Sequence, residues 1–306
     1  MEKKQSEWAT SMPFKEQLVV IKRLFAYAKP FKMTFIIAIG FALVLATINV
    51  LMPRILQTLI DRYLTTQSAT LQIILFFAML YLLGTILKAV IWFFQWFLYS
   101  NASLQSYQHI RVKLFEKLHT LGMRYFDQTP AGSVVSRVSN DTETLFEFWH
   151  VFLTVLTGIF AVVSSFIAMF QINQKIALLI LAFLPILGFV IWYYQSFSSR
   201  VYRQMREKLS QLNTKLNESI SGMQIIQQFR QERRFMKEFE ETNDEYLATR
   251  YAMIKMNSLL LGPIISLLYT FALAVVLTAF GFNAMQSPVE VGLIFAFTTY
   301  VQTFFN

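Results

Sequence analysis

Gly122 to Asp141 read GMRYFDQTPAGSVVSRVSND, a polar stretch set between long apolar runs. In a chain dominated by segments of bilayer length, such a stretch belongs outside the membrane. Pro130 brings no backbone donor and Gly132 tolerates positive φ, so a helix arriving from Ser106 is predicted to stop there. Ser133 is placed to cap a short new helix over Val134 to Val138. Asn140 with Glu143 reads as a capping box that opens the next long helix. The expected product is helix, break, short transverse helix, helix. The short piece sits at the far end of a hairpin, where another protein can grip it.

The composition around this stretch is that of a membrane protein. The chain has 306 residues, 55% hydrophobic, 16% aromatic and only 15% charged, with a mean hydropathy of +0.46. Soluble domains carry about 25% charge, so one membrane bundle is favoured over the two soluble domains that the length allows. There is no cysteine, which excludes disulfide, zinc–thiolate and thiol chemistry. The net charge of +9 has to be read by location, and its location points to membrane topology, not nucleic acid. No cleavable signal peptide is evident, since the first apolar run outlasts a signal core.

Six apolar runs lie at about 33–53, 71–99, 148–172, 176–197, 256–283 and 291–306, against the roughly 20 residues that a bilayer core demands. The fold expected is all-α and integral to the membrane. The connector Asn173-Gln174-Lys175 makes a tight hairpin of the third and fourth runs. Residues 1–32 form a basic leader with seven Lys/Arg. In it Phe14, Leu18, Ile21 and Phe25 recur at helical spacing, so Lys15 to Ala28 reads either as an interfacial helix or as a solvated leader. The 109–147 connector holds five Lys/Arg and the 200–255 connector eleven. The basic segments alternate along the chain, which places them together in the cytosol with both termini. Ile110, Leu114, Leu118 and Leu121 keep helical spacing in the first connector, and Leu209, Leu212, Leu216, Ile220 and Met223 in the second. Folded as helical hairpins, these connectors would reach roughly 30–40 Å beyond the bilayer at 1.5 Å per residue, a profile that suits mechanical coupling to a soluble partner.

Three blocks carry a family resemblance. Arg124-Tyr-Phe-Asp127, Pro-Ala-Gly132, Ser136-Arg137 and Asn140-Asp141 resemble the first intracellular loop of ABC exporter transmembrane domains. Glu218-Ser-Ile-Ser-Gly222-Met-Gln-Ile-Ile-Gln-Gln-Phe229, with Glu232 and Phe239, resembles the second loop. Gly292-Leu-Ile-Phe-Ala-Phe297-Thr-Thr-Tyr300 resembles the last membrane helix. The resemblance implies six transmembrane helices and two long cytosolic hairpins carrying short coupling helices. It assigns contact with nucleotide-binding domains to Gly132, Ser133, Ser136, Arg137, Asn140 and Asp141, and to Ser210, Gln211, Asn213 and Glu218 within and beside the Arg206–Leu216 region. It implies a second half-transporter, as homo- or heterodimer, in the bacterial inner membrane. It also implies alternating access driven by ATP, with an amphipathic drug or lipid as substrate.

The chemistry of the chain itself is sparse. None of its ten glycines is followed by Lys, so no phosphate loop exists. The chain is expected to bind no cofactor, with ATP and Mg²⁺ on a nucleotide-binding domain that is removed or supplied by another chain. The end at Asn306, inside an apolar run, favours removal. His109, His119 and His150 lack metal-ligand spacing. The candidates for the substrate cavity are intramembrane polar and aromatic residues: Asn49, Lys88, Trp92, Gln95, Tyr99, Tyr269, Thr298 and Gln302. Lys88, Trp92, Gln95 and Tyr99 share a helical face. Lys88 is placed close to the cytosolic boundary, where it either snorkels or faces a wet cavity. Pro185 and Pro263 are expected to kink their helices. The function expected is the membrane half of an ATP-driven exporter. The rivals are a complete permease subunit with a separate ATPase, an ATP-independent channel or secondary transporter, and a structural scaffold. Ion coupling asks for acids within spans, and none of the six runs contains Asp or Glu.

Overall fold

The computed structural model describes residues 14–286 and 290–305, which are almost all helical and include no strand. The leader before Phe14, the side chains of Phe14, Lys15 and Gln17, and Asn306 lie outside the described residues, and with them most of the leader that reads either as interfacial or as solvated. Among the described residues, five continuous or near-continuous helical runs are long and apolar enough to cross a bilayer: Leu18–Leu64, Leu71–His119, Ala131–Ile172, Gln174–Ser221 and Glu232–Met285. A sixth apolar helix, Val291–Phe305, has 15 residues. The chain divides into two compact units, one through Ser165 and one from Phe166.

In the first unit α1 (Phe14–Ala28) passes through a 3₁₀ turn at Lys29–Phe31 into α2 (Lys32–Leu59). The turn falls at Pro30, which has no amide to give the helix ladder. α2 continues past Pro53 and closes in a π turn at Ile60–Leu64, so the first helix is longer than the apolar run that signals it. Gln67, at φ 53°, reverses the chain. Thr70 caps α3 (Leu71–His119) by accepting from the Ile73 amide at 3.4 Å. α3 has 49 residues, roughly 74 Å of helix. Then come α4 (Met123–Gln128) and α5 (Ala131–Ile172).

α2 and α3 pack antiparallel in a register set by rings. Phe35 meets Tyr99 at 5.1 Å and Phe41 meets Phe94 at 6.5 Å. Farther along, a Cβ on Gly84 would stand 2.7 Å from the Met52 sulfur, so the Met52 side chain lies directly against this glycine. The core of the unit gathers Ala28, Phe35, Ala38, Tyr99, Ala102, Trp149 and Leu153. Tyr99 donates its hydroxyl to the Trp149 carbonyl at 2.8 Å, and Phe25 of α1 sets its edge against Trp149 and Phe152. Leu18 and Ile21, on the same face of α1, remain exposed.

In the second unit Asn173 caps α6 (Gln174–Leu181), accepting from the Ile176 amide at 3.2 Å. A break at Ala182 separates α6 from α7 (Phe183–Ser221). α8 (Met223–Gln228) and α9 (Glu232–Met256) follow. A π turn at Asn257–Leu261 leads into α10 (Gly262–Gln286), and α11 is Val291–Phe305. Each expected kink appears as an interruption just upstream of its proline: the break at Ala182 precedes Pro185, and the π turn precedes Pro263. Proline leaves the carbonyl four residues back without its donor. α10 and α11 close on Phe280 and Phe297, whose rings meet at 5.3 Å.

Candidate coupling hairpins and membrane cleft

The first hairpin is built from the C-terminal part of α3 and the N-terminal part of α5, with α4 at its tip. Thr129 is extended (φ −125°, ψ 117°), as the residue before a proline prefers. The Pro130 carbonyl then accepts from Ser133 and Val134 at 2.9 and 3.3 Å and opens α5. The chain does break at Pro130, but the short helix lies before the proline, at Met123–Gln128, and not at Val134–Val138. Ser133 caps no separate helix, and Asn140 and Glu143 open none. Gly132, Ser133, Ser136, Arg137, Asn140 and Asp141 all belong to the continuous α5. No glycine among the described residues has positive φ, so the freedom expected of Gly132 is not used.

Within this hairpin Arg137 donates to the Tyr125 hydroxyl at 3.3 Å, tying α5 to α4. Arg111 of α3 donates to Ser139 of α5 at 3.5 Å. Met123 is 73% exposed and Phe126 40%, so the tip offers apolar surface to a partner. Asp141 is also exposed but lies on the helix body, roughly 16 Å along the axis from Pro130.

The second hairpin pairs α7 with α9. Tyr194 donates to the Asn257 side-chain carbonyl at 2.8 Å, Lys208 pairs with Glu245 at 2.5 Å, and Lys215 donates to the Glu238 carbonyl at 2.8 Å. The Lys208 hydrogen bond and charge hold the Glu245 carboxyl below its ordinary pKa. At the turn the Gly222 amide donates to the Glu218 carbonyl at 2.8 Å. A Cβ on Gly222 would sit 3.0 Å from that same oxygen, which favours glycine at this turn. α8 follows, anchored by buried Ile226, while Ile225 and Phe229 are 62% and 69% exposed. Arg230, at φ 52°, turns the chain into α9.

The tip of this hairpin is therefore Gly222–Gln231. The Arg206–Leu216 region, with Ser210, Gln211 and Asn213, is the middle of α7. Ser210 and Gln211 line a polar cleft of about 650 Å³ together with Glu207, Lys215, Glu241 and Glu245. Glu218 stands within one turn of the tip. Sequence reading missed Tyr125, Lys208, Glu245 and the Tyr194–Asn257 pair. The heptad-like spacing signals that α7 and α9 pair, but a register of ion pairs between distant segments leaves no local trace.

Of the cavity candidates, Asn49, Trp92 and Gln95 come together. They line a cleft of about 220 Å³ between α2, α3 and α5, with Trp96, Thr154 and Thr157. Gln95 is buried, at 3% exposure. Tyr99 belongs instead to the packed core. Tyr269, Thr298 and Gln302 lie in the second unit. There Tyr269 packs on Phe305 at 6.1 Å and Thr298 donates to its own helix at Phe295, while Gln302 is exposed. Lys88 is exposed, and the packing register changes its depth. Phe41 opposite Phe94 and Met52 opposite Gly84 place Lys88 level with Thr47 and Ile48, roughly 23 Å along α2 from Lys32. That level falls inside the charge-free stretch of α2, Met33 to Pro53.

The three histidines make local contacts. His119 lies 3.0 Å from the Phe115 carbonyl, His109 faces Phe31, and His150 sits between Trp96 and Phe146.

The family model for the ABC transporter transmembrane region matches residues 35–306. The chain is 33% identical over 293 residues to exp8 of Streptococcus pneumoniae, whose name places it among ABC transporter ATP-binding proteins. The match covers 95% of this chain and 50% of that protein. It is 32% identical over 283 residues to the multidrug resistance-like ATP-binding protein MdlB of Buchnera aphidicola, covering 92% of this chain and 49% of the relative. It is 26% identical over 297 residues to the multidrug export ATP-binding/permease protein YgaD of Bacillus subtilis, covering 94% and 50%. The chain thus spans about half the length of the curated relatives it matches. The two hairpins, the apolar helices and this match agree, and the chain belongs to the family of ABC transporter transmembrane regions.

Proposed function

We propose that this chain is the membrane half of an ATP-driven exporter and that it transmits nucleotide-dependent motion through α4 and α8. The observation that carries the reading is the pair of short helices at the hairpin tips. Each tip displays large apolar side chains, Met123 and Phe126 on α4, Ile225 on α8 and Phe229 directly after it, at the end of long helices too polar to remain in lipid. Such surfaces fit grooves on nucleotide-binding domains that hold ATP and Mg²⁺. A second half-transporter completes the pathway in the cell membrane, with both termini cytosolic. Nucleotide binding favours one of two arrangements of the helices by its differential affinity, and hydrolysis restores the other. The substrate class is an amphipathic drug or lipid.

The test is transport in proteoliposomes, with the chain assembled with its nucleotide-binding domains and a panel of fluorescent amphipathic dyes as probes. Accumulation that needs ATP and stops with vanadate supports the proposal. Transport that runs without ATP on an imposed ion gradient overturns it in favour of a channel or secondary carrier.

A further inference from the structure

The cleft between α2, α3 and α5 has a chemistry of its own. Its walls come from three helical faces: Ala42, Leu45, Ala46 and Asn49 on α2, Trp92, Gln95 and Trp96 on α3, and Leu153 to Ala161 on α5. No ionisable side chain among the described residues lines it. Thr154 donates its hydroxyl to the His150 carbonyl at 3.0 Å, and Thr157 donates to Leu153 at 2.9 Å. Both hydroxyls therefore spend their protons on the helix and offer only lone pairs to the cleft. Asn49 and Gln95 supply the amide donors. The two tryptophans give faces on which a ring can stack, and about 220 Å³ holds a bicyclic ring system and little more.

Lys88 stands one helical turn from Trp92 on the same face of α3, toward the outer side. The α2–α3 register puts it at the level of Thr47, inside the charge-free stretch of α2. No carboxylate among the described residues forms an ion pair with it. A cation at that depth is costly unless a counter-charge or water meets it, and the cleft lined by Trp92 begins one helical turn away. We infer that the cleft and Lys88 form a subsite for an amphipathic anion: a fused aromatic ring enters between Trp92 and Trp96, and its carboxylate or sulfonate pairs with Lys88. The inference rests on the exporter reading only in placing this level of α3 within the bilayer.

A charge series on one ring tests it. Tritiated 1-naphthaleneacetate, 1-naphthaleneacetamide and 1-naphthylmethylammonium are titrated onto the nucleotide-binding-domain-containing transporter in phosphatidylcholine nanodiscs, with empty nanodiscs as the blank. The anion binds about tenfold tighter than the neutral amide, and the cation weakest. Lys88→Met removes the anion's advantage and leaves the amide unchanged, and Lys88→Arg keeps it. Trp92→Leu weakens all three ligands together, which separates stacking from charge. Thermal unfolding of each variant guards against misfolding, and Lys88→Arg serves as the folded reference if Lys88→Met proves unstable. Equal affinity for anion and amide, an anion advantage that survives Lys88→Met, or binding no greater than to empty nanodiscs overturns the inference. Because binding is read without ATP, a preparation that keeps the Lys88-dependent preference but shows no ATP-driven transport counts against the exporter reading and not against this subsite.

Discussion

Tyr99 shows what a single side chain contributes. It is 2% exposed, and its hydroxyl reaches across from α3 to the Trp149 carbonyl of α5. Tyr99→Phe keeps the ring packing against Phe35 and deletes only that bond, so a loss of about 1 kcal/mol is expected, read as a drop of a few degrees in thermal unfolding. No change would show that the bond is replaced. Glu245 gives a pH-dependent counterpart. Its carboxyl pKa is lowered in the fold by Lys208, so the Lys208–Glu245 pair contributes to stability above the ordinary glutamate range. That contribution is lost as pH falls through the lowered folded value. Thermal stability followed downward from pH 6 falls more steeply in the native chain than in Lys208→Met, and parallel curves would refute the pairing. Neither role was legible in the sequence. The stripe Lys88, Trp92, Gln95, Tyr99 was read as one face, and it is one face. Helical spacing shows that residues share a direction but not what lies opposite, and here the face meets core at Tyr99, cleft at Gln95 and Trp92, and an open level at Lys88.

At the scale of elements, prolines explain both what was legible and what was displaced. Pro130 reads as a break and Pro185 and Pro263 as kinks, and the backbone is irregular beside all three. In all three cases the irregular backbone lies on the N-terminal side: the extended Thr129, the turn at Ala182 and the π turn at Asn257–Leu261. A proline cannot donate to the residue four back, yet it sits comfortably near a helix start. The short helix near Pro130 therefore had to precede it. Pro185→Ala restores a donor for the Leu181 carbonyl and is expected to join α6 to α7. Amide exchange across residues 181–186 would slow markedly, and unchanged exchange would mean that packing holds the break. The tip of the second hairpin was displaced for a different reason. The apolar periodicity of α7 runs unbroken through Arg206–Leu216, and only Gly222 with its close carbonyl marks the turn. Gly222→Val forces that contact and is expected to cost about 1–3 kcal/mol, with the loss confined to α8 in hydrogen exchange.

Over the whole molecule, the fold class was readable because its signals are long. Apolar runs of bilayer length, basic connectors at alternate positions along the chain and two helical hairpins each extend over tens of residues. The cleft was only partly readable, since three distant faces make it. Family membership follows from residues 35–306, and the proposed coupling role rests on the exposed apolar side chains at the tips of α4 and α8. The most direct test is the ratio of dye transported to ATP hydrolysed in proteoliposomes, comparing the native assembly with Phe126→Ala/Phe229→Ala and with Asp141→Lys. The account predicts that the tip double variant still hydrolyses ATP while its transport ratio falls at least about tenfold, equivalent to roughly 1.4 kcal/mol of coupling, and that Asp141→Lys stays near native. A native ratio in the tip variant, or transport that persists without ATP, would contradict it.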